Sequence, residues 1–213
     1  MELVLDPVEI RILGSLIEKE LSTPEYYPLS LNALTNACNQ KSNRDPVVAY
    51  DEAAVESAAG RLIDKGLIWK SIVGRVPKYE ERFTHERSLV PREASVICLL
   101  LLRGPQTIGE IRGRTARLYE FKDLEEVQAT LGDLSEWGLA CQLPRAPGHK
   151  ESRYAHQLAG EVETAAATTD SRISPRAVAD DARLEKIEAT IESLCKEIED
   201  LKTAFAAFKK QFD

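Results

Sequence analysis

Residues that build disulfide scaffolds and metal centres are scarce in this chain, which has four cysteines, three histidines and only 6% aromatic residues. The cysteines stand far apart, at Cys38, Cys98, Cys141 and Cys195, with no C-x-x-C pair and no histidine at ligand spacing. This spacing argues against a disulfide framework and against a zinc site. We therefore expect reduced, mostly buried thiols, no metal ion and no cofactor.

Long apolar runs and an excess of positive charge are also absent. The longest apolar run, from Ala94 to Leu102, is shorter than the roughly 20 residues that cross a bilayer. The N-terminus lacks the basic and apolar segments of a signal peptide, so we expect a cytoplasmic protein that does not bind membranes. The formal net charge of -7 excludes an overall basic footprint for nucleic acid, which leaves a local basic patch as the remaining route.

Recognisable catalytic patterns are missing as well. His85, His149 and His156 are separated along the chain, and none stands beside a serine or cysteine in a nucleophile motif. Acidic pairs such as Glu125 and Glu126 fall on predicted surfaces, where solvated charge accounts for them. The sequence therefore predicts a binding protein rather than an enzyme.

An internal repeat is the main feature that the sequence does contain. The pattern L-x-P-x-E at residues 5–9 recurs at residues 89–93, and each copy opens an apolar helical stretch. Proline suits the first turn of a helix, where its missing N–H costs nothing. A short second helix follows in each copy, with predicted N-caps at Ser30 and Thr107.

A third helix with the same apolar face follows in both copies. Its N-caps are predicted at Asp51 and Asp123, and Gly66 and Gly138 stand where a left-handed residue ends a helix. Alternating residues then predict a hairpin in each copy, with turns at Gly74 and at Pro147–Gly148. The apolar positions match at a constant offset: Val55, Ala59, Leu62 and Leu67 in the first copy, and Val127, Leu131, Leu134 and Leu139 in the second.

Three helices and a two-stranded wing, occurring twice, predict an α+β, mainly helical fold. We expect two tandem winged helix-turn-helix domains, at residues 1–88 (the first repeat) and 89–160 (the second repeat). Residues 161–180 hold too few large apolar groups to bury a core and are expected to form a flexible linker.

Residues 181–213 carry a heptad pattern that predicts a C-terminal coiled-coil helix. Isoleucine at a and leucine at d favour two parallel strands, so we expect a parallel homodimer. A helix that folds back on the protein's own domains is the alternative. The apolar positions are Leu184, Ile187, Ile191, Leu194, Ile198, Leu201, Phe205, Phe208 and Phe212.

Charge at the third helices is unfavourable for ordinary major-groove insertion. Their first turns carry Asp51, Glu52 and Glu56 in one repeat and Asp123 and Glu125 in the other, and carboxylates near phosphates are repelled. Binding is therefore expected through loops, the second helix of the second repeat and the wings, although each of these groups is also explained by ordinary solvated charge. The candidate DNA-binding or partner-binding residues are Asn39, Gln40, Lys41, Asn43, Arg44, Arg75, Lys78, Arg112, Arg114, Arg117, His149, Lys150 and Arg153.

Several long segments resemble the YceH-like family of uncharacterised bacterial proteins. They are TPEYYPLSLNALTNACNQKSNRDPV, KYEERF, LLLRGPQTIGEIRGRTARLYEF and PGHKESRYAH. The similarity runs from about Leu5 to Gly160 and implies a tandem winged-helix fold. It implies no biochemical role.

Two functions therefore stay open at this point. One is a DNA-associated regulator that contacts DNA through loops and wings. The alternative is a protein-interaction scaffold that uses its winged helices as bacterial chromosome-segregation accessory proteins do, an analogy that rests on fold and acidity alone.

Overall fold

Three helices followed by a short antiparallel hairpin occur twice in the computed structural model, which describes residues 3–72, 76–145 and 151–159. These residues belong to one compact unit, Met1–Ala166. The helices are α1 (Pro7–Ser22), α2 (Leu31–Cys38), α3 (Glu52–Asp64), α4 (Phe83–Glu86), α5 (Pro91–Arg103), α6 (Ile108–Thr115) and α7 (Leu124–Glu136). The strands are β1 (Leu29–Ser30), β2 (Ile68–Ser71), β3 (Lys78–Glu81), β4 (Ala140–Gln142) and β5 (Tyr154–His156).

Side-chain caps fix where four of the helices begin. Ser30, Asp51, Thr107 and Asp123 accept hydrogen bonds from backbone amides in the first turns of α2, α3, α6 and α7. Each bond satisfies an amide that has no partner inside its helix. All four predicted caps are confirmed.

The two predicted C-terminal glycines are also confirmed. Gly66 follows α3 with φ of 71°, and Gly138 follows α7 with φ of 68°. This left-handed conformation strains a residue with a Cβ, which explains glycine at both places. Each glycine turns the chain directly from the third helix into its hairpin.

Antiparallel pairing joins β2 to β3 and β4 to β5, as the alternation predicted. The alternating pattern predicts that the second strand of the first hairpin begins at Val76, whereas β3 begins at Lys78. The intervening Pro77 has no N–H to donate to a strand ladder, which accounts for the later start. The predicted turns at Gly74 and at Pro147–Gly148 lie outside the described residues.

A further backbone pairing precedes the second helix of each repeat. Leu29 of β1 pairs with Tyr79 of β3, so the first sheet has the order β1-β3-β2. In the second repeat, Gln106 and Tyr154 form the equivalent antiparallel bridge, with N–O distances of 3.0 and 2.8 Å. These pairings anchor the chain just before α2 and α6, and sequence periodicity did not reveal them.

The apolar faces of both third helices are buried. Val55, Leu62, Val127 and Leu134 are all 0% exposed, which confirms the predicted core positions. They belong to a single hydrophobic cluster that includes residues of both repeats. The two repeats therefore share a continuous core.

Helices α1 and α5 form the contact between the repeats, and a glycine allows their close approach. A Cβ on Gly14 would lie 2.9 Å from Leu102 Cδ2 and 3.0 Å from Leu101 Cβ. No side chain fits there without displacing α5. This packing brings the C-terminal ends of α1 and α5 together beside the loop that follows α2.

The observed α+β architecture, with small antiparallel sheets, agrees with the predicted fold class. Within residues 3–72, 76–145 and 151–159, no helix is long and apolar enough to span a membrane. The predicted linker at residues 161–180 and coiled coil at residues 181–213 lie outside the described residues.

Candidate anion-binding site between the repeats

A hollow of about 130 Å³ lies where α1 and α5 end, between the loop after α2 and the helix α6. We call it the basic pocket. Its polar wall is formed by Gln40, Ser42 and Asn43, and its apolar floor by Leu99 and Leu102. Cationic side chains complete the wall: Lys19, Arg103, Arg114 and Arg117.

Positive charge predominates among the residues that line the basic pocket. Four cations face a single lining carboxylate, Glu18, and that carboxylate is already bound by the guanidinium of Arg44. Lys19 also lies 3.8 Å from Glu18, and Arg114 pairs with Glu110, whereas Arg103 and Arg117 form no ion pair among the described residues. The lining therefore keeps a surplus of positive charge. The pocket favours an anionic group.

Arg103 contributes a buried donor that has no partner among the described residues. Its Nε is inaccessible to solvent and unbonded, whereas its Nη1 donates to Asn43 Oδ1 at 3.4 Å. Burial first, and then the charge of Arg114, lower the pKa of Arg103. A buried donor without a partner is exceptional, and a shift of the side chain would let this Nε–H bond to an acceptor in the pocket.

The side chain of Arg114 is held at the edge of the pocket by its own helix. Its Nη2 lies 3.4 Å from Glu110 Oε1, and its Nη1 donates to Gln106 Oε1. Although burial alone would raise the pKa of Glu110, the Thr107 amide and the guanidinium of Arg153 lower it. Glu110 and Gln106 therefore hold the Arg114 side chain in place before any ligand binds.

Arg44 does not lie on the surface, contrary to the prediction that placed it in a binding surface. It is 4% exposed, and its Nη2 donates to Glu18 Oε2 at 2.6 Å and to the Ala37 carbonyl at 2.9 Å. A further bond links Arg44 Nη2 to Gln40 Oε1 at 3.1 Å. This arginine fastens the loop to α1 and cannot reach an external ligand.

Asn39 also braces the loop. Its Nδ2 donates to the Tyr50 carbonyl at 2.7 Å, and its Oδ1 accepts from the Tyr50 amide at 2.8 Å. Both ends of the amide are bonded to Tyr50, which fixes Asn39 within the loop. Lys41 is exposed in the same loop and is available to a partner.

Among the described residues, three further candidates do not line the basic pocket, namely Lys78, Arg112 and Arg153. Arg112 donates to the Lys122 carbonyl at 3.1 Å, and Arg153 donates to the Pro105 carbonyl at 2.8 Å. Lys78 is half-buried in β3. Arg75, His149 and Lys150 lie outside the described residues.

Of the predicted site residues, the structure brings together Gln40, Asn43, Arg114 and Arg117 in the basic pocket. Sequence reasoning missed Lys19 and Arg103. Each basic residue lies in the last turn of a helix, a place where positive charge also offsets the helix dipole. Because the helix dipole accounts for a basic residue at either position, nothing in the sequence indicated that Lys19 and Arg103 line the same pocket.

Acidic residues remain at the starts of the third helices. Asp51, Glu52 and Glu56 are exposed at the start of α3. A wider hollow of about 480 Å³ at the start of α7 is lined by two carboxylates, Glu125 and Glu151, and by one cation, Arg145, among others. Neither surface has the surplus of positive charge found in the basic pocket.

Comparison with known proteins places this chain in a family. The family model described as "Protein of unknown function, DUF480" matches residues 5–149. The chain belongs to the DUF480 family. A UPF0502 protein of Solibacter usitatus is 49% identical over 214 residues, with both chains covered completely.

Other relatives cover nearly the same length. A UPF0502 protein of Geobacter sulfurreducens is 45% identical over 222 residues, with 100% of both chains covered. One from Aeromonas hydrophila is 48% identical over 205 residues, with 91% of this chain and 93% of the relative covered. These names state no activity, so membership of the DUF480 family leaves function to be argued from the site.

Proposed function

We propose that this DUF480 protein is a non-enzymatic, DNA-associated binding protein whose repeats are two winged helix-turn-helix units. The order of elements supports the fold assignment, since α1, α2, α3 and the β2–β3 hairpin recur as α5, α6, α7 and the β4–β5 hairpin. The C-terminal heptads support assembly as a parallel homodimer. That segment lies outside the described residues.

The observation that carries the proposed function is the convergence of four cationic side chains on the basic pocket. A phosphate group would neutralise their charge, and a shift of the Arg103 side chain would let its buried Nε–H bond to a phosphate oxygen. The volume of about 130 Å³ is well below the roughly 300 Å³ at which pockets begin to hold drug-sized ligands. A single phosphate of a nucleic-acid backbone suits such a space.

The proposed contact differs from ordinary major-groove insertion. The acidic starts of α3 and α7 are kept away from the duplex, while the basic pocket and Lys41 contact the backbone. Affinity then comes from the release of counterions, and little base specificity is expected.

A second candidate function is a protein-interaction scaffold, and the first hairpin favours it. Trp69 is 51% exposed, Ile72 78% and Val76 52%. Large apolar side chains grouped on an exposed hairpin suit contact with another protein. Binding of such a partner should be lost when Trp69 and Ile72 are both replaced by serine.

Salt-dependent binding to duplex DNA separates the two functions. Replacing Arg114 and Arg117 together by alanine should reduce the slope of log affinity against log salt by up to about 1.8, because each phosphate contact contributes about 0.9. Arg112→Ala is the matched control, since Arg112 lies in the same helix but bonds to the Lys122 carbonyl. The slope of log affinity against log salt for Arg112→Ala should match that of the wild type.

Two results would contradict the DNA-associated function. One is an unchanged slope in the Arg114 and Arg117 double variant while the duplex still binds. The other is a lack of duplex binding at low salt, which would favour the scaffold.

A further inference from the structure

Three side chains with metal-ligating atoms converge beside the end of β3, and none of them lines the basic pocket. Glu20 comes from α1, Glu81 ends β3, and His85 lies in α4. One ligating atom from each lies within 4.8 Å of the other two. We call these residues the Glu–Glu–His cluster.

The distances in the Glu–Glu–His cluster approach those of a coordination sphere. Glu20 Oε1 lies 2.9 Å from His85 Nε2, and Glu81 Oε1 lies 3.7 Å from the same nitrogen. Tetrahedral ligands bonded to zinc at about 2.1 Å are about 3.4 Å apart. The two separations lie on either side of this value, and the Glu20 and Glu81 oxygens are within 4.8 Å of each other.

Charge in the cluster is unbalanced. The Glu81 side chain is 0% exposed, and in the described part of the chain no lysine or arginine forms an ion pair with Glu20 or Glu81. Among the described residues, His85 is the one possible cationic partner of these two carboxylates, and its single charge offsets only one of them. Two carboxylates in such a place require a proton or a cation.

The Glu81 carboxylate is oriented by a second layer of contacts. Its Oε2 accepts from the Thr84 amide at 2.9 Å, and its Oε1 accepts from the Thr84 hydroxyl. Outer contacts of this kind fix metal ligands in metalloproteins. The His85 side chain is 65% exposed, which leaves an open side for a water ligand.

We propose that Glu20, Glu81 and His85 bind one Zn²⁺ ion per chain. An imidazole nitrogen combined with carboxylate oxygens suits zinc better than magnesium or calcium, which prefer oxygen ligands alone. The ion would neutralise the carboxylate pair and join α1, β3 and α4. None of these residues takes part in the proposed DNA contact, so the two proposals stand independently.

Calorimetric titration of Zn²⁺ into the chelator-treated full-length protein tests the site. We expect one ion per chain, and a weakening of more than roughly 100-fold in His85→Ala and in Glu81→Gln, beyond the range of outer-shell changes. Thr84→Val should weaken binding about 10- to 100-fold. Glu86→Gln is the matched control, because Glu86 lies in α4 beside His85 and pairs with Arg82 instead.

Circular dichroism establishes that each variant is folded. Because the His85 side chain is exposed, His85→Ala should leave the core intact. Zinc affinity that is unchanged in folded His85→Ala would overturn the proposal, since the metal would then bind elsewhere. A folded wild-type protein that bound no zinc would also overturn the proposal.

Discussion

Replacing Arg44 by methionine should destabilise the protein strongly, although Arg44 lies in a polar loop that suggests tolerance. The guanidinium is 4% exposed and makes a two-point contact with Glu18, at 2.6 and 3.1 Å. Its loss leaves the Glu18 carboxylate, which is only 11% exposed, without its main partner. Breaking a buried ion pair in this way costs about 3 to 5 kcal/mol.

Partial access of Glu18 to water places the expected loss near the lower end of that range, at about 3 kcal/mol. Urea denaturation followed by circular dichroism measures it. Lys41→Met is the matched control in the same loop, and its exposed side chain predicts a change within about 0.5 kcal/mol.

A double variant separates loss of the charge pair from loss of packing. Replacing both Glu18 and Arg44 by methionine removes both charges, so the double variant should be more stable than Arg44→Met alone. A cost below about 1 kcal/mol for Arg44→Met, or strictly additive effects in the double variant, would refute the assigned role of this pair.

Three further predictions concern the core, pH and assembly. Leu62→Ala and Leu134→Ala should each cost about 2 to 5 kcal/mol in urea denaturation, because both leucines are fully buried; values below about 1 kcal/mol would contradict the shared core. Burial lowers the pKa of His156 from 6.5 to about 4, so the unfolded chain takes up a proton first as pH falls. The free energy of unfolding should therefore drop between those pH values, by up to about 1.4 kcal/mol per pH unit relative to His156→Phe, and an equal pH dependence in both proteins would contradict this. Truncation near Ala179 should convert dimers to monomers in light scattering, whereas a monomeric full-length chain would exclude the coiled-coil dimer.

Local features of the fold could be predicted because they depend on neighbouring residues. An N-cap such as Asp51 needs only the helix that follows it, and Gly66 needs only the turn that it makes. The buried faces of the third helices followed from periodicity in the same way. These signals do not depend on how the helices pack.

Features that depend on distant residues could not be predicted. Arg44 is buried by Glu18, which stands 26 residues away along the chain. Lys19 and Arg103 meet only because α1 and α5 approach closely at Gly14. Composition alone therefore assigned Arg44 to the surface and overlooked Arg103.

The Glu–Glu–His cluster illustrates the same limit. Glu81 and His85 stand four residues apart in the chain, yet their convergence with Glu20 depends on the packing of α1 against β3. Histidines that are isolated in sequence can thus meet carboxylates in the folded chain.

The most direct measurement follows the Nε–H resonance of Arg103 by NMR while a short DNA duplex is added to the isotope-labelled full-length protein. If a backbone phosphate enters the basic pocket, this unbonded Nε–H gains an acceptor and its resonance shifts, while that of Arg112 stays in place. Saturation of the protein with the duplex without any change at Arg103 would contradict the central claim.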